Sequence, residues 1–222
     1  GPFSERGGRL LFTQPLGTDS QLPMMLLAEG RPPFSLDADG RLMPDVTSDR
    51  VLEYLSAWVD LYRAGAMPRE AATRGFEHLI DVYQNERVAA LNTGVNFLRR
   101  VRDASRRIYD QTIVMPPATG ALGSAHIAVM PVCVSARSRE PELAARLAWH
   151  ITSPESQAMF CRLASILPST PASLDDPFFA GPTEGERAGG EALIGEARAT
   201  VARALSSAVA FTPAIEAWPG MR

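Results

Sequence analysis

The sequence predicts an α/β fold, and three observations carry that prediction. Short apolar runs rich in β-branched residues alternate with segments of helical apolar spacing along the 222 residues. Glycine and proline punctuate the joints, as at Gly30 with Pro32-Pro33, at Gly65, at Gly94 and at Pro116-Pro117. No apolar run approaches the length needed to span a bilayer, so these segments must bury one another.

Taken in order, Arg9 to Thr13 reads as a short strand entering a loop with Pro15 and Gly17. Leu22 to Ala28 is an apolar helical stretch that Gly30 stops. Leu36 to Leu42 holds the Asp39-Gly40 turn expected between two short strands. Ser48 or Asp49 can cap a helix whose Val51, Leu55, Trp58 and Tyr62 share a face, with Leu52 and Val59 beside them and Gly65 at its end. A helix over Phe76 to Gln84, a strand over Val88 to Leu91, the Gly94 turn and a basic helix ending near Arg107 follow.

Two β-branched runs, Ile108 to Met115 and Ile127 to Val134, read as buried strands of the same architecture. Pro141 to Ile151 is a helix with Leu143, Leu147 and Ile151 on one side. Ser153-Pro154-Glu155 opens the next, with serine as cap, proline in the first turn and glutamate at the positive helix end. Gly181 to Gly190 reads as a flexible interruption, and Glu191 to Val209 as a long helix of small residues.

Composition narrows the chemistry. A net charge of −3 argues against a general nucleic-acid surface, and the one dense basic patch, Arg99 to Arg107, contains Asp103 and reads as a solvated helix face. The chain has no lysine, which excludes a lysine Schiff base and a P-loop lysine within it. His78, His126 and His150 are too scattered for a metal site. Cys133 and Cys161 each fit a small buried hydrophobe, and a disulfide between them stays open because spacing does not place their Cα atoms. Asp175 and Asp176 are adjacent and would diverge rather than share a proton, and no Gly-x-Ser-x-Gly elbow occurs. Nothing in the chain asks for an enzyme or a cofactor.

Five short motifs then fall in a telling order. They are Gln84 to Gly94, Ile113-Val114-Met115-Pro116-Pro117, Ser124 to Val129, Thr152-Ser153-Pro154-Glu155-Ser156-Gln157 and Ile166-Leu167-Pro168. In this order they resemble the C-terminal half of the extracytoplasmic solute-binding proteins of ABC importers, especially the sugar-binding group. The upstream Asp-Gly hairpin matches a comparable hairpin of that family.

The resemblance implies a periplasmic-binding-protein-like (type II) lobe within an α/β class, as a fragment lacking the N-terminal lobe. On that reading residues 1–118 form the C-terminal-lobe core, 119–172 the segment that crosses back to the N-terminal lobe, and 173–222 the truncated C-terminal helices. The absent lobe would hold roughly a hundred residues. The implied role is capture of a small solute, a sugar or oligosaccharide, outside the cytoplasm, with an ABC permease as partner. The implied location is the periplasm or a cell-surface lipoprotein. Two other roles stay open: the effector-sensing domain of a transcription regulator, and an enzyme on a related two-lobe fold. A lobe without its counterpart would also expose apolar surface and self-associate.

Candidate ligand residues follow from the same resemblance. Where the family carries Gly-x-Trp, this chain has Gly94-Val95-Asn96-Phe97, so Asn96 takes the tryptophan position and Phe97 either lines the cleft or fills core. Thr18, Asp19 and Gln21 follow the first strand in a loop that faces the cleft in the family, and they supply donors and acceptors for hydroxyls. Ser124 and His126 lie at the turn near ligand and hinge, and Trp218 is placed like a late aromatic that packs on the ligand.

Overall fold

The computed structural model describes residues 10–13, 21–39 and 41–210. Strand β1, Leu10–Thr13, pairs in parallel with β4, Val88–Leu91, in the register Leu10↔Val88 and Thr13↔Leu91. Parallel pairing demands a crossover. Here it carries helix α1, Gln21–Ala28, hairpin β2, Phe34–Leu36, with β3, Leu42–Pro44, helix α2, Asp49–Arg63, a 3₁₀ turn, Arg69–Ala72, and helix α3, Phe76–Gln84. The buried apolar side chains of this part include Met24, Leu26, Val51, Met67, Leu79, Ile80, Val82 and Val88. Helix α2 turns Val51 inward and keeps Leu55, Trp58 and Tyr62 half-buried, as its spacing predicts.

The turn chemistry is local and legible. In the hairpin, Asp37 Oδ1 accepts from the Asp39 and Arg41 N–H groups at 2.9 and 2.8 Å. At the end of α2, Gly65 adopts φ +73° while Ala66 N–H returns to Leu61 O at 3.1 Å, a left-handed cap that glycine enters without steric cost. Ser48 occupies the cap position of α2 but makes no side-chain cap bond; its hydroxyl donates to Asp45 O at 3.4 Å.

After β4, helix α4, Phe97–Ala104, ends at Ser105 and helix α5, Arg106–Gln111, begins. The expected strand over Ile108 to Met115 therefore does not form: residues 108–111 are helical and 112–115 belong to no strand. Ser105 Oγ accepts from Ile108 N–H at 3.4 Å and starts a new helix. Ile108 and Tyr109 then pack with Leu98, Val101, Ile194 and Ala197, and that packing overrides β-propensity. The expected strand over Ile127 to Val134 forms no ladder either. One isolated parallel bridge, His126↔Val209, marks its start. Residues 128–137 are exposed throughout.

Helices α6, Pro141–Ile151, α7, Pro154–Ala164, and α8, Pro171–Leu174, pack principally on one another. The Ser-Pro-Glu motif works as predicted: Ser153 Oγ accepts from Ser156 N–H at 3.3 Å, with Pro154 in the first turn. Gln157 completes it. Its Oε1 accepts from Ser169 N–H at 2.7 Å and its Nε2 donates to Thr152 O at 3.1 Å, fastening α7 to the turn after buried Pro168. Gln157→Ala should cost about 1–2 kcal/mol in chemical denaturation, since it orphans backbone groups at two turns; an unchanged midpoint would refute this role.

The stretch expected as a flexible interruption contains helix α9, Glu184–Ala188, with a Thr183/Glu186 capping box. Helix α10, Ala192–Ala204, is shorter than expected and passes into a 3₁₀ turn, Leu205–Ser207. Beneath α10, Arg198 is 4% exposed. Its guanidinium makes four hydrogen bonds: it donates to Phe178 O at 2.6 Å and Gly181 O at 3.0 Å, and pairs with both oxygens of Glu186 at 2.7 and 2.8 Å. Cys133 is exposed and Cys161 buried, both as free thiols. No helix among the described residues is long and apolar enough to cross a membrane.

Candidate functional site

Because β1 and β4 run in parallel with Thr13 opposite Leu91, their carboxyl ends lie at the same sheet edge. In open α/β sheets that carboxyl edge is where ligands bind. The loop after β4 carries Asn92 and Thr93, both exposed, then the Gly94 turn and exposed Asn96. Phe97 N–H donates to Gly94 O at 3.1 Å and Leu98 N–H to Val95 O at 3.2 Å, closing the turn into α4. A Cβ on Gly94 would stand 2.5 Å from Asn96 Oδ1, so glycine leaves room for that amide. Buried Leu98 and Val101 anchor α4 from below, and the polar side chains stay at the rim.

Asn96 heads α4 without capping it through its side chain, which leaves the amide outside the helix's own hydrogen bonding at that end. Phe97 is half-buried, between the two readings the sequence leaves open. Asn92 and Thr93 were not singled out from sequence; two amide- or hydroxyl-bearing residues directly after a strand were the available signal.

Ser124 and His126 lie on a different segment. Leu122 N–H donates to Ala28 O at 3.1 Å, Ala125 is buried, Ile127 N–H donates to Val209 O at 3.0 Å, and Val209 N–H donates to Ala125 O at 2.9 Å. Burial pushes the His126 imidazole below its ordinary range, partly opposed by the Val209 carbonyl, so the ring is neutral at pH 7. Gln21 opens α1 as its first residue. Thr18, Asp19 and Trp218 lie outside the described residues.

Four of the arginines in the basic patch are paired with carboxylates. Arg100 bridges Glu77 and Asp81, Arg102 bridges Asp103 and Glu191, Arg106 pairs with Asp110 and Arg107 with Glu86. Such a face has little charge left for a polyanion. Asp175 and Asp176 diverge as expected: Asp175 is exposed, whereas Asp176 caps the Phe178 N–H at 2.9 Å. Among the described residues no group of three or more His, Cys, Asp or Glu could hold a metal ion.

A second feature is apolar. Ile113 is 80%, Met130 74%, Trp149 79% and Leu163 75% exposed, with Val129, Leu143, Leu147, Met159 and Phe160 also uncovered. Between residues 132–138 and α6 runs a groove of about 370 Å³ whose apolar walls include Val132, Val134, Leu147 and Ile151. Single exposed apolar side chains need no explanation, but this many between residues 113 and 163 suit an interaction surface.

Comparison with known proteins follows these features. The family model of bacterial extracellular solute-binding proteins matches residues 6–184. A proposed oligosaccharide periplasmic-binding protein from Synechococcus sp. MITs9220 is 30% identical, with TM-score 0.81 over 96% of this chain and 54% of its own. The GacH receptor of Streptomyces glaucescens, solved unliganded and with acarbose, is 16% identical, with TM-score 0.60 over 90% of this chain and 59% of its own. An ABC substrate-binding protein from Listeria monocytogenes in complex with cycloalternan is 16% identical, with TM-score 0.59 over 96% and 50%. The last two share the fold. The chain spans between 50% and 59% of the length of these structures. No curated protein matches it significantly. By its sequence and its fold, this chain is a member of the bacterial extracellular solute-binding proteins.

Proposed function

We propose that the chain supplies one lobe of a two-lobe clamp that captures an oligosaccharide outside the cytoplasm and delivers it to an ABC permease. The observation that carries this reading is the shared carboxyl edge of β1 and β4, from which the loop of residues 92–96 departs, with Thr18 and Asp19 following β1 in the sequence. Amides and hydroxyls at a strand edge suit sugar hydroxyls, each able to donate and accept. The uncovered apolar face of residues 113–163 is the seat of the second lobe, the counterpart of what the solved relatives hold beyond the matched half. Residues 119–172 cross toward that lobe, and 1–118 with 173–222 form the lobe described here. Trp218 and Gln21 complete the sugar-facing set with Phe97, Ser124 and His126.

A split clamp divides its contacts, so the 222-residue chain alone should bind maltotetraose or cellotetraose roughly 100-fold more weakly than the two-lobe protein. Titration calorimetry on both forms tests this, and equal affinities would overturn it. In the two-lobe protein, Asn96→Ala and Asn92→Ala should each weaken binding roughly 10-fold at unchanged melting temperature. Normal binding by both would remove this edge from the site. Alone, the chain should associate through the same apolar face as concentration rises, and a strict monomer in light scattering would count against that seat.

A further inference from the structure

Among the described residues, the α6–α8 unit meets the rest of the chain at two well-defined places. One is the pair of hydrogen bonds among Ala125, Ile127 and Val209, where the chain passes from buried Ala125 into the exposed run. The other is the turn Pro177–Phe179, which packs on α10. Its Phe178 ring lies 3.5 Å from the Arg198 Cζ of α10 and 5.0 Å from the Arg162 Cζ of α7. Arg162 also pairs with Asp176, which caps the same turn.

The two arginines differ in kind. Arg198 is buried and held by Glu186 and two carbonyls, so with Phe178 it forms a fixed post. Arg162 is 47% exposed in its side chain and reaches that post through one ring and one carboxylate. A rigid post with a solvent-accessible tie is a joint: the tie can release without unfolding the post.

We propose that Arg162, Phe178 and Arg198 form a brace that sets the angle at which the α6–α8 unit stands on the body of the chain. This deepens the two-lobe reading above and rests on it, because the second lobe seats on that unit and the brace then sets the resting opening of the clamp. Arg162 acts as a positioning residue, and the flat guanidinium matters as well as the charge.

The test is a distance measurement that needs no sugar. Spin labels at Ala104→Cys on α4 and Arg139→Cys beside α6, in a Cys133→Ser background, report the body-to-unit distance by pulsed dipolar spectroscopy. Arg162→Met should broaden the distribution about two-fold or displace its maximum, while the melting temperature stays within a few degrees because the buried post is untouched. Phe178→Leu, which removes the ring that both arginines face, should also broaden or displace the distribution, and Arg162→Lys should restore it only in part. Distributions for Arg162→Met and Phe178→Leu that coincide with the parent would overturn the brace. Failure of the sugar titrations with an altered distribution would instead remove the ligand reading and leave the joint standing.

Discussion

Replacing Glu186 by alanine should destabilise the protein by about 3–5 kcal/mol, because it leaves the Arg198 guanidinium buried and uncompensated. Side-chain exposure of the pair is 5% for Arg198 and 12% for Glu186, so solvent cannot step in for the lost carboxylate. The same change unmakes the capping box, in which Glu186 Oε2 accepts from Thr183 N–H at 2.7 Å. Urea denaturation measures the loss, and a shift below about 0.5 kcal/mol would refute the account. Replacing both Glu186 and Arg198 by apolar residues of similar volume should recover part of the loss, since no charge is then stranded.

The pair also fixes a pH dependence. The Arg198 guanidinium chiefly, opposed by burial and helped by the Thr183 N–H, holds the Glu186 carboxyl below the usual glutamate range. A depressed folded-state value means that unfolding takes up a proton at low pH. The stabilisation is therefore whole above the unfolded value of about 4.3 and fades as pH falls through the lower folded value. Asp176, held down by the Phe178 N–H and by Arg162, acts in the same direction. Glu186→Gln should be less stable than the parent at neutral pH, with the gap narrowing on acidification below about pH 4.

A methyl group added at Gly195 should be the second most damaging small change. A Cβ there would stand 2.2 Å from Pro182 Cα and 2.6 Å from Pro182 Cβ, closer than real atoms approach, and the obstacle is backbone. Helix α10 cannot slide away freely, because Ile194 and Ala197 on either side of Gly195 are locked into the cluster with Leu98, Val101, Ile108 and Tyr109. Gly195→Ala should therefore cost about 1–3 kcal/mol or more by overpacking, despite the better helix propensity of alanine. Gly185→Ala is the internal control: nothing lies within 4 Å of its Cβ, in helix α9, so it should stabilise by about 0.5–1 kcal/mol. Thermal melts in which both variants move alike would refute the steric argument.

Where the sequence proved readable, a single residue or a short motif decided local structure. Asp37 draws the hairpin, Gly65 ends α2, and Ser153 with Pro154 starts α7, because each acts on backbone groups within a few residues. The β-branched runs misled for two different physical reasons. Ile108 had its fate set by Ser105 and by α10, whose Ile194 lies far along the chain. Residues 127–134 declare only that they need cover, and past the Ile127 N–H, which donates to Val209 O, they join no ladder among the described residues. At the candidate site, Asn96 was legible because Gly94 follows a recognisable strand. Asn92 and Thr93 were not, because the resemblance to Gly-x-Trp points past them to the ring position after Gly94. The Arg162–Phe178–Arg198 arrangement was beyond reach, since it joins two helices through a turn between them.

The parallel union of β1 and β4 also has a cost in time. Among the described residues, residue 10 pairs with residue 88, so everything from α1 to α3 must be synthesised before β1 can make that pairing. At about 5–20 residues per second on the ribosome, that interval lasts roughly 4–16 s. During it Leu10, Leu11 and Phe12 travel as an unpaired sticky segment, and closing the long loop must precede any reward from the pairing. Slowing translation before residue 88 should therefore lower soluble yield more than slowing it after residue 91, when the two-stranded nucleus can already close.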